Sequence, residues 1–233
     1  MVGSLIFGIF SLVFCVVFCF LRARKANVTS LMFKILSSVC FILCGLFALK
    51  QTVSTNFNLL VIAGLVMGLI GDILLDLKIM YPEQNDTFFT NGTASFAIGH
   101  IFYFVAVAFY NDAVLASHLG WNILAAAGVG ILMTAIIMLL SKPLNLNFGK
   151  HKYTVAVYSF LLTFMMAYSI AIAIFNPIFW IFAGGMIAFF LSDLVLSMQY
   201  FGGRGEKVWI FVNHILYYLA QSMLAFSILY LVF

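Results

Sequence analysis

Four ionisable side chains stand out because each interrupts a stretch otherwise given over to apolar residues. They are Asp72 in Gly71-Asp72-Ile73-Leu74-Leu75, His100 in Gly99-His100-Ile101-Phe102-Tyr103, Asp193 in Ser192-Asp193-Leu194-Val195-Leu196, and His214 in Asn213-His214-Ile215-Leu216-Tyr217. Asp76 follows Asp72 one helical turn later. Two carboxyl groups close together in low-dielectric surroundings can share one proton, which sets an acid beside a base at neutral pH. That arrangement suits general acid–base hydrolysis, worth roughly 10²–10⁴-fold per participant. Histidines beside them could orient a carboxylate, relay a proton or bind a metal. No GxSxG, HExxH or P-loop pattern occurs, so serine-hydrolase, zincin and nucleotide-driven chemistry have no support.

The elements that must position these residues are membrane helices. The chain has 233 residues, 65% of them hydrophobic and 8% charged, against roughly 25% charged in a soluble domain. It cannot cover its outside with groups that water solvates. The apolar runs predict an all-α integral membrane protein, an eight-helix transmembrane bundle forming a single domain over 1–233. The expected spans are 1–21, 31–49, 58–77, 94–110, 119–140, 153–175, 177–199 and 208–232. The runs lack the two-residue alternation of a barrel strand, and helices satisfy their backbone groups internally.

Charge sets the orientation. Arg22, Arg24, Lys25, Lys34, Lys78, Lys142, Lys150, Lys152, Arg204 and Lys207 fall in or beside alternate connections, and Lys50 alone lies on the other side. The positive-inside rule then puts those loops in the cytoplasm and both termini outside. The first apolar run carries its basic residues after it, so it reads as a retained anchor and not as a signal peptide. Cys15/Cys19 and Cys40/Cys44, each pair four residues apart, read as small apolar fillers. The net charge of +4 reflects topology and does not suggest nucleic acid.

Depth and face make the polar residues coherent. At 1.5 Å per residue, Asp72 falls ~8 Å inside the cytoplasmic end of its span, and Asp193, His100 and His214 ~9 Å. Gly64, Gly68, Asp72 and Asp76 follow at steps of four, so two small residues lead into two acids along one side. His214, Tyr217 and Gln221 share a face, as do His100 and Tyr103. Asp and then His with Tyr three residues on recur in the same order four helices apart. This predicts a duplicated four-helix unit, with halves 1–118 and 119–233 related by an axis along the membrane normal. The plain competing reading is interhelical hydrogen-bond glue worth ~0.6 kcal/mol per group. Glu83, Asp86, Asp112 and Glu206 are expected in solvated loops.

The segments GDILL at 71–75, SFAIGHIFY at 95–103, SDLVLS at 192–197 and NHILYYLAQ at 213–221 resemble the YhhN-like family of membrane proteins, the lysoplasmalogenases. The resemblance implies hydrolysis of the vinyl ether bond of a lysoplasmalogen, giving a fatty aldehyde and a glycerophospho-base, with a lysophospholipid as substrate and no cofactor. It implies Asp72 and Asp193 as the acid–base pair, which is which left open, with Asp76 able to replace either. His100 and His214 would position the acids. Tyr103, Tyr217, Gln221 and Asn213 would line the substrate slot, and Lys34 and Lys152 would contact its phosphate, against the plainer reading of both as snorkelling topology lysines. Compact loops point to the plasma membrane.

Two further readings stay open on the residues alone. A duplicated bundle with intramembrane acids also suits a small proton-coupled carrier, although the acids are expected near one face and Pro143 and Pro177 fall at helix ends. Asp72, His100, Asp193 and His214 could instead hold a metal for lipid hydrolysis, although no two have tight ligand spacing.

Overall fold

The computed structural model describes residues 1–53, 55–110 and 113–231, with the side chains of 113–116 set aside. Asp112 lies outside the described residues. Eight helices follow in order: α1 (Val2–Arg22), α2 (Val28–Leu49), α3 (Asn56–Met80), α4 (Asn85–Ala108), α5 (Ala113–Leu140), α6 (Lys152–Phe175), α7 (Trp180–Phe201) and α8 (Lys207–Ser227). All eight are long and apolar enough to cross a membrane, and no strand occurs among the described residues. The chain is a multi-pass membrane protein with the expected eight-helix plan.

Local chemistry fixes the helix starts. Asn27 and Ser30 close a capping box on α2: Asn27 accepts from the Ser30 backbone N–H at 2.9 Å and Ser30 accepts from that of Asn27 at 3.1 Å. Thr55 accepts from the Asn58 backbone at 3.3 Å to start α3. Single 3₁₀ turns at Pro82–Gln84, Gly149–His151 and Pro177–Phe179 lead into α4, α6 and α7.

The largest departure from the expected spans is α4, which begins at Asn85 and not near residue 94. Asn85–Gly92 is too polar to read as a span, yet Asp86 in its first turn complements the helix dipole and the helix continues unbroken. Asp86 is thus helical and not in a loop, though still exposed. It pairs with Lys150 and with His151 at 2.8 Å at the start of α6.

Successive helices pair as α1–α2, α3–α4, α5–α6 and α7–α8. Helix α8 closes the bundle against α1, α2 and α3, while α6 packs on α4 and α7. Exchanging the two halves carries the α2–α3 contact onto α6–α7 and α2–α8 onto α6–α4. Among the described residues the α1–α8 packing has no comparable α5–α4 counterpart, and α5 is the least buried helix. On the α1–α2 seam Ser11 and Ser37 exchange hydroxyl-to-carbonyl bonds at 2.9 and 2.5 Å. All four cysteines are free and buried on this side of the bundle, packed as fillers.

Candidate active site

Helix α3 carries the centre of the site. Its glycine face lets neighbours approach: a Cβ on Gly64 would stand 2.2 Å from the Tyr103 ring, and one on Gly68 2.6 Å from Gln221 Nε2. With those side chains drawn in, a hydrogen-bond chain runs from α4 through α8 to α3. Tyr103 donates to Gln221 Oε1 at 3.1 Å, Gln221 Nε2 donates to the Tyr217 hydroxyl at 3.0 Å, and Tyr217 donates to Asp72 Oδ2 at 2.9 Å. Ser38 on α2 donates to the same oxygen at 2.7 Å.

The other Asp72 oxygen faces Lys34 Nζ at 3.5 Å, and Lys34 also reaches Asp76 Oδ1 at 3.2 Å. Asp76 in turn pairs with Arg22 at 3.4 Å. Lys34 is only 4% exposed, and both aspartates are buried as deeply. Two carboxylates and two cations thus balance one another. Removing ions from water is costly, and a partner with further hydrogen bonds is what offsets it. Lys34 therefore departs from both expectations for it: it neither snorkels nor stands free for a phosphate. Lys152, by contrast, is exposed at the start of α6.

Asp193 on α7 has a different setting. It is half-buried, and Tyr158 on α6 donates to its Oδ2 at 2.6 Å. Ser192 donates to Oδ1 at 3.4 Å, and no cation pairs with it among the described residues. Asn213 ties α8 to α7 beside it, donating to the Ser192 carbonyl at 2.7 Å.

One cavity joins these two settings. Asp72, Asp193, Asn213, His214 and Tyr217 line it, together with Lys34, Tyr158 and Tyr200, and the rest of its wall is mainly apolar, including Phe89, Phe96, Leu162 and Phe190. An apolar hollow with a few convergent polar groups is the usual form of a small-molecule site. Tyr103 and Gln221 stand behind this wall and support Tyr217, so of the expected slot residues only Tyr217 and Asn213 face the cavity. Asp76 lies outside the lining, held by its two cations.

The histidines part company. Each turns Nδ1 to the carbonyl four residues back on its own helix, His100 to Phe96 at 2.7 Å and His214 to Ile210 at 2.8 Å. Neither hydrogen-bonds an aspartate among the described residues. His214 lines the cavity and packs edge-on to Phe18. His100 does not line it; its ring packs edge-on to Phe189, one turn of α7 before Asp193, and its buried Nε2 has no hydrogen-bond partner among the described residues. The early start of α4 explains the shift, since His100 lies ~22 Å along that helix instead of ~9 Å. Among the described residues no three His, Cys, Asp or Glu side chains converge as metal ligands would.

Sequence reasoning missed Ser38, Tyr158 and Arg22. Ser38 had a signal, lying one turn from Lys34 on the same face of α2, whereas Tyr158 had none. The model of the YhhN family matches residues 29–228, from the first turn of α2 to the end of α8. No curated protein and no solved structure matches the chain.

Proposed function

We propose, from the premise that this chain belongs to the YhhN family, that it hydrolyses the vinyl ether bond of a lysoplasmalogen. The family includes lysoplasmalogenases. The observation that carries the reading is that two aspartates in contrasting surroundings face one largely apolar cavity, Asp72 against a lysine and Asp193 against hydroxyls alone.

The contrast supports one division of roles. Asp72, with Lys34 alongside and two hydroxyl donors on one oxygen, is the carboxylate that stabilises positive charge and takes a proton from water. Asp193, with no cation near it, is the proton donor, because a neutral acid avoids the cost of an unpaired buried charge. In the reaction Asp193 delivers its proton to the alkenyl carbon one removed from the ether oxygen. The electrons of the C=C bond form the new C–H bond, leaving an oxocarbenium ion across the ether C–O. Water adds to that carbon, losing a proton to Asp72, to give a hemiacetal. The hemiacetal collapses to a fatty aldehyde and the free glycerol hydroxyl, and the proton balance is restored between the two acids. One water is consumed and no electrons are exchanged with a cofactor. The chain hydroxyl of Tyr217 and the Asn213 amide lie on the wall where the glycerol oxygens would sit.

We also assign the basic loops to the cytoplasm and both termini to the outside, on the charge asymmetry. The test is aldehyde release from lysoplasmenyl-ethanolamine and lysoplasmenyl-choline by the detergent-purified protein. Aldehyde in stoichiometry with the glycerophospho-base is expected. A folded protein that releases none from either headgroup would overturn the reading.

A further inference from the structure

We propose that the groove between α4 and α6 is the lateral opening through which a single-chain lipid slides its hydrocarbon tail from the bilayer into the cavity shared by Asp72 and Asp193; this rests on the lipid-hydrolase reading above. Two residues carry the connection. Thr93 of α4 and Tyr158 of α6 line both the outer groove and the inner cavity, so the two hollows share a threshold. Outside it the groove is bounded by Ala94 and Ala97 on α4 and by Tyr153 and Val157 on α6. Ala94, Tyr153 and Val157 are exposed on the outer surface of the bundle, which in a membrane protein faces lipid. The inner end of the path is the acid itself, since the Tyr158 hydroxyl donates to Asp193.

A second observation points to a ligand at the threshold. Thr93 is 8% exposed, yet its hydroxyl makes no hydrogen bond among the described residues. A helical threonine ordinarily returns its hydroxyl to a carbonyl one turn back, whereas this one is not among the fully enclosed polar atoms and opens onto the two hollows it lines. An oxygen of a lipid passing through would supply it with a partner.

The charges at the mouth fit the same occupant. The groove runs along the first turns of α4 and α6, both of which start at the basic end of the bundle. There Lys150 and His151 are engaged with Asp86, whereas Lys152, next to Tyr153 at the mouth, is exposed and makes no ion pair among the described residues. A phosphate held at the interface by Lys152 keeps the headgroup in place while the tail moves inward.

The experiment uses a saturated-ether lysophospholipid carrying a diazirine near the ether, in lipid nanodiscs, so that labelling does not depend on turnover. Labelled peptides are expected from 90–97 and 153–158 and from the cavity segment 190–197. Ala94→Trp adds bulk on the lipid side, where the core is untouched, and Ala97→Phe narrows the groove further in. Both should cut labelling of 190–197 by about tenfold, while Ile98→Trp, also exposed on α4 but outside the groove, should leave it unchanged. Cavity labelling that survives both blocking variants, or that occurs without labels on 90–97 or 153–158, overturns the proposal. Aldehyde release from a lysoplasmenyl lipid by the unblocked parent protein reports on the hydrolase reading, and labelling by the saturated-ether probe reports on the path, so either can fail without the other.

Discussion

Asp72 and Asp193 hold matching places in two similar helix pairs, yet their neighbourhoods differ in kind. Around Asp72, α2 contributes Lys34 and Ser38 and α8 contributes Tyr217, so charge and hydrogen bonding are satisfied by three side chains from two helices. Around Asp193, α6 contributes one tyrosine hydroxyl and α7 one serine, with no paired cation among the described residues. A similar sequence element can thus be given two electrostatic settings by what the preceding helix brings to it. In lipid this matters more than in water, because an uncompensated charge has no solvent to turn to.

The comparison breaks most sharply at Lys34. Lys34→Met strips Asp72 and Asp76 of their shared cation, and breaking a buried pair by removing one partner costs about 3–5 kcal/mol. Thermal unfolding in detergent should show this as a large fall in Tm, and adding Asp76→Asn should recover part of it. An unchanged Tm would mean the network contributes no stability. Next comes packing behind the Asp72 side: Gly64→Ala forces a methyl onto the Tyr103 ring and should destabilise by about 1–3 kcal/mol, as overpacking does. Urea or thermal midpoints report it directly, and Tyr103→Ala in the same background should relieve the clash.

On the Asp193 side the effects are smaller and fall on activity. Tyr158→Phe removes one hydroxyl donor, worth about 0.5–1.5 kcal/mol, so turnover should drop by no more than about tenfold with stability nearly unchanged. A loss as large as that of an aspartate variant would make Tyr158 part of the chemistry itself. The smallest effect belongs to His100→Phe. The ring contact with Phe189 can persist and an unpaired buried nitrogen is removed, so stability should stay within about 1 kcal/mol of the parent. A large change would show that Nε2 has a partner in the working protein.

Much of this was legible in the sequence for a physical reason. Membrane helices announce themselves as apolar runs, so eight spans could be counted, and a lone acid in such a run is costly enough to be noticed. The glycine face of α3 was readable too, because spacing of four puts small residues in line with Asp72. Three things were not readable. The polar start of α4 hid two helical turns and with them the true depth of His100. Lys34 sits where topology lysines sit, and only the packed bundle reveals that it turns inward to two acids. Tyr158 is one tyrosine among ten, and nothing local marks its hydroxyl as the one that meets Asp193.

The most direct measurement compares aldehyde release by the parent protein with that by Asp72→Asn and Asp193→Asn, each first shown to be folded by its thermal midpoint. The account predicts that both variants lose about 10²–10⁴-fold in turnover, that Asp72→Asn also shifts the midpoint because Lys34 loses one partner, and that Asp193→Asn leaves it in place. Full turnover by either folded variant would contradict the assignment of these two aspartates as the reacting pair.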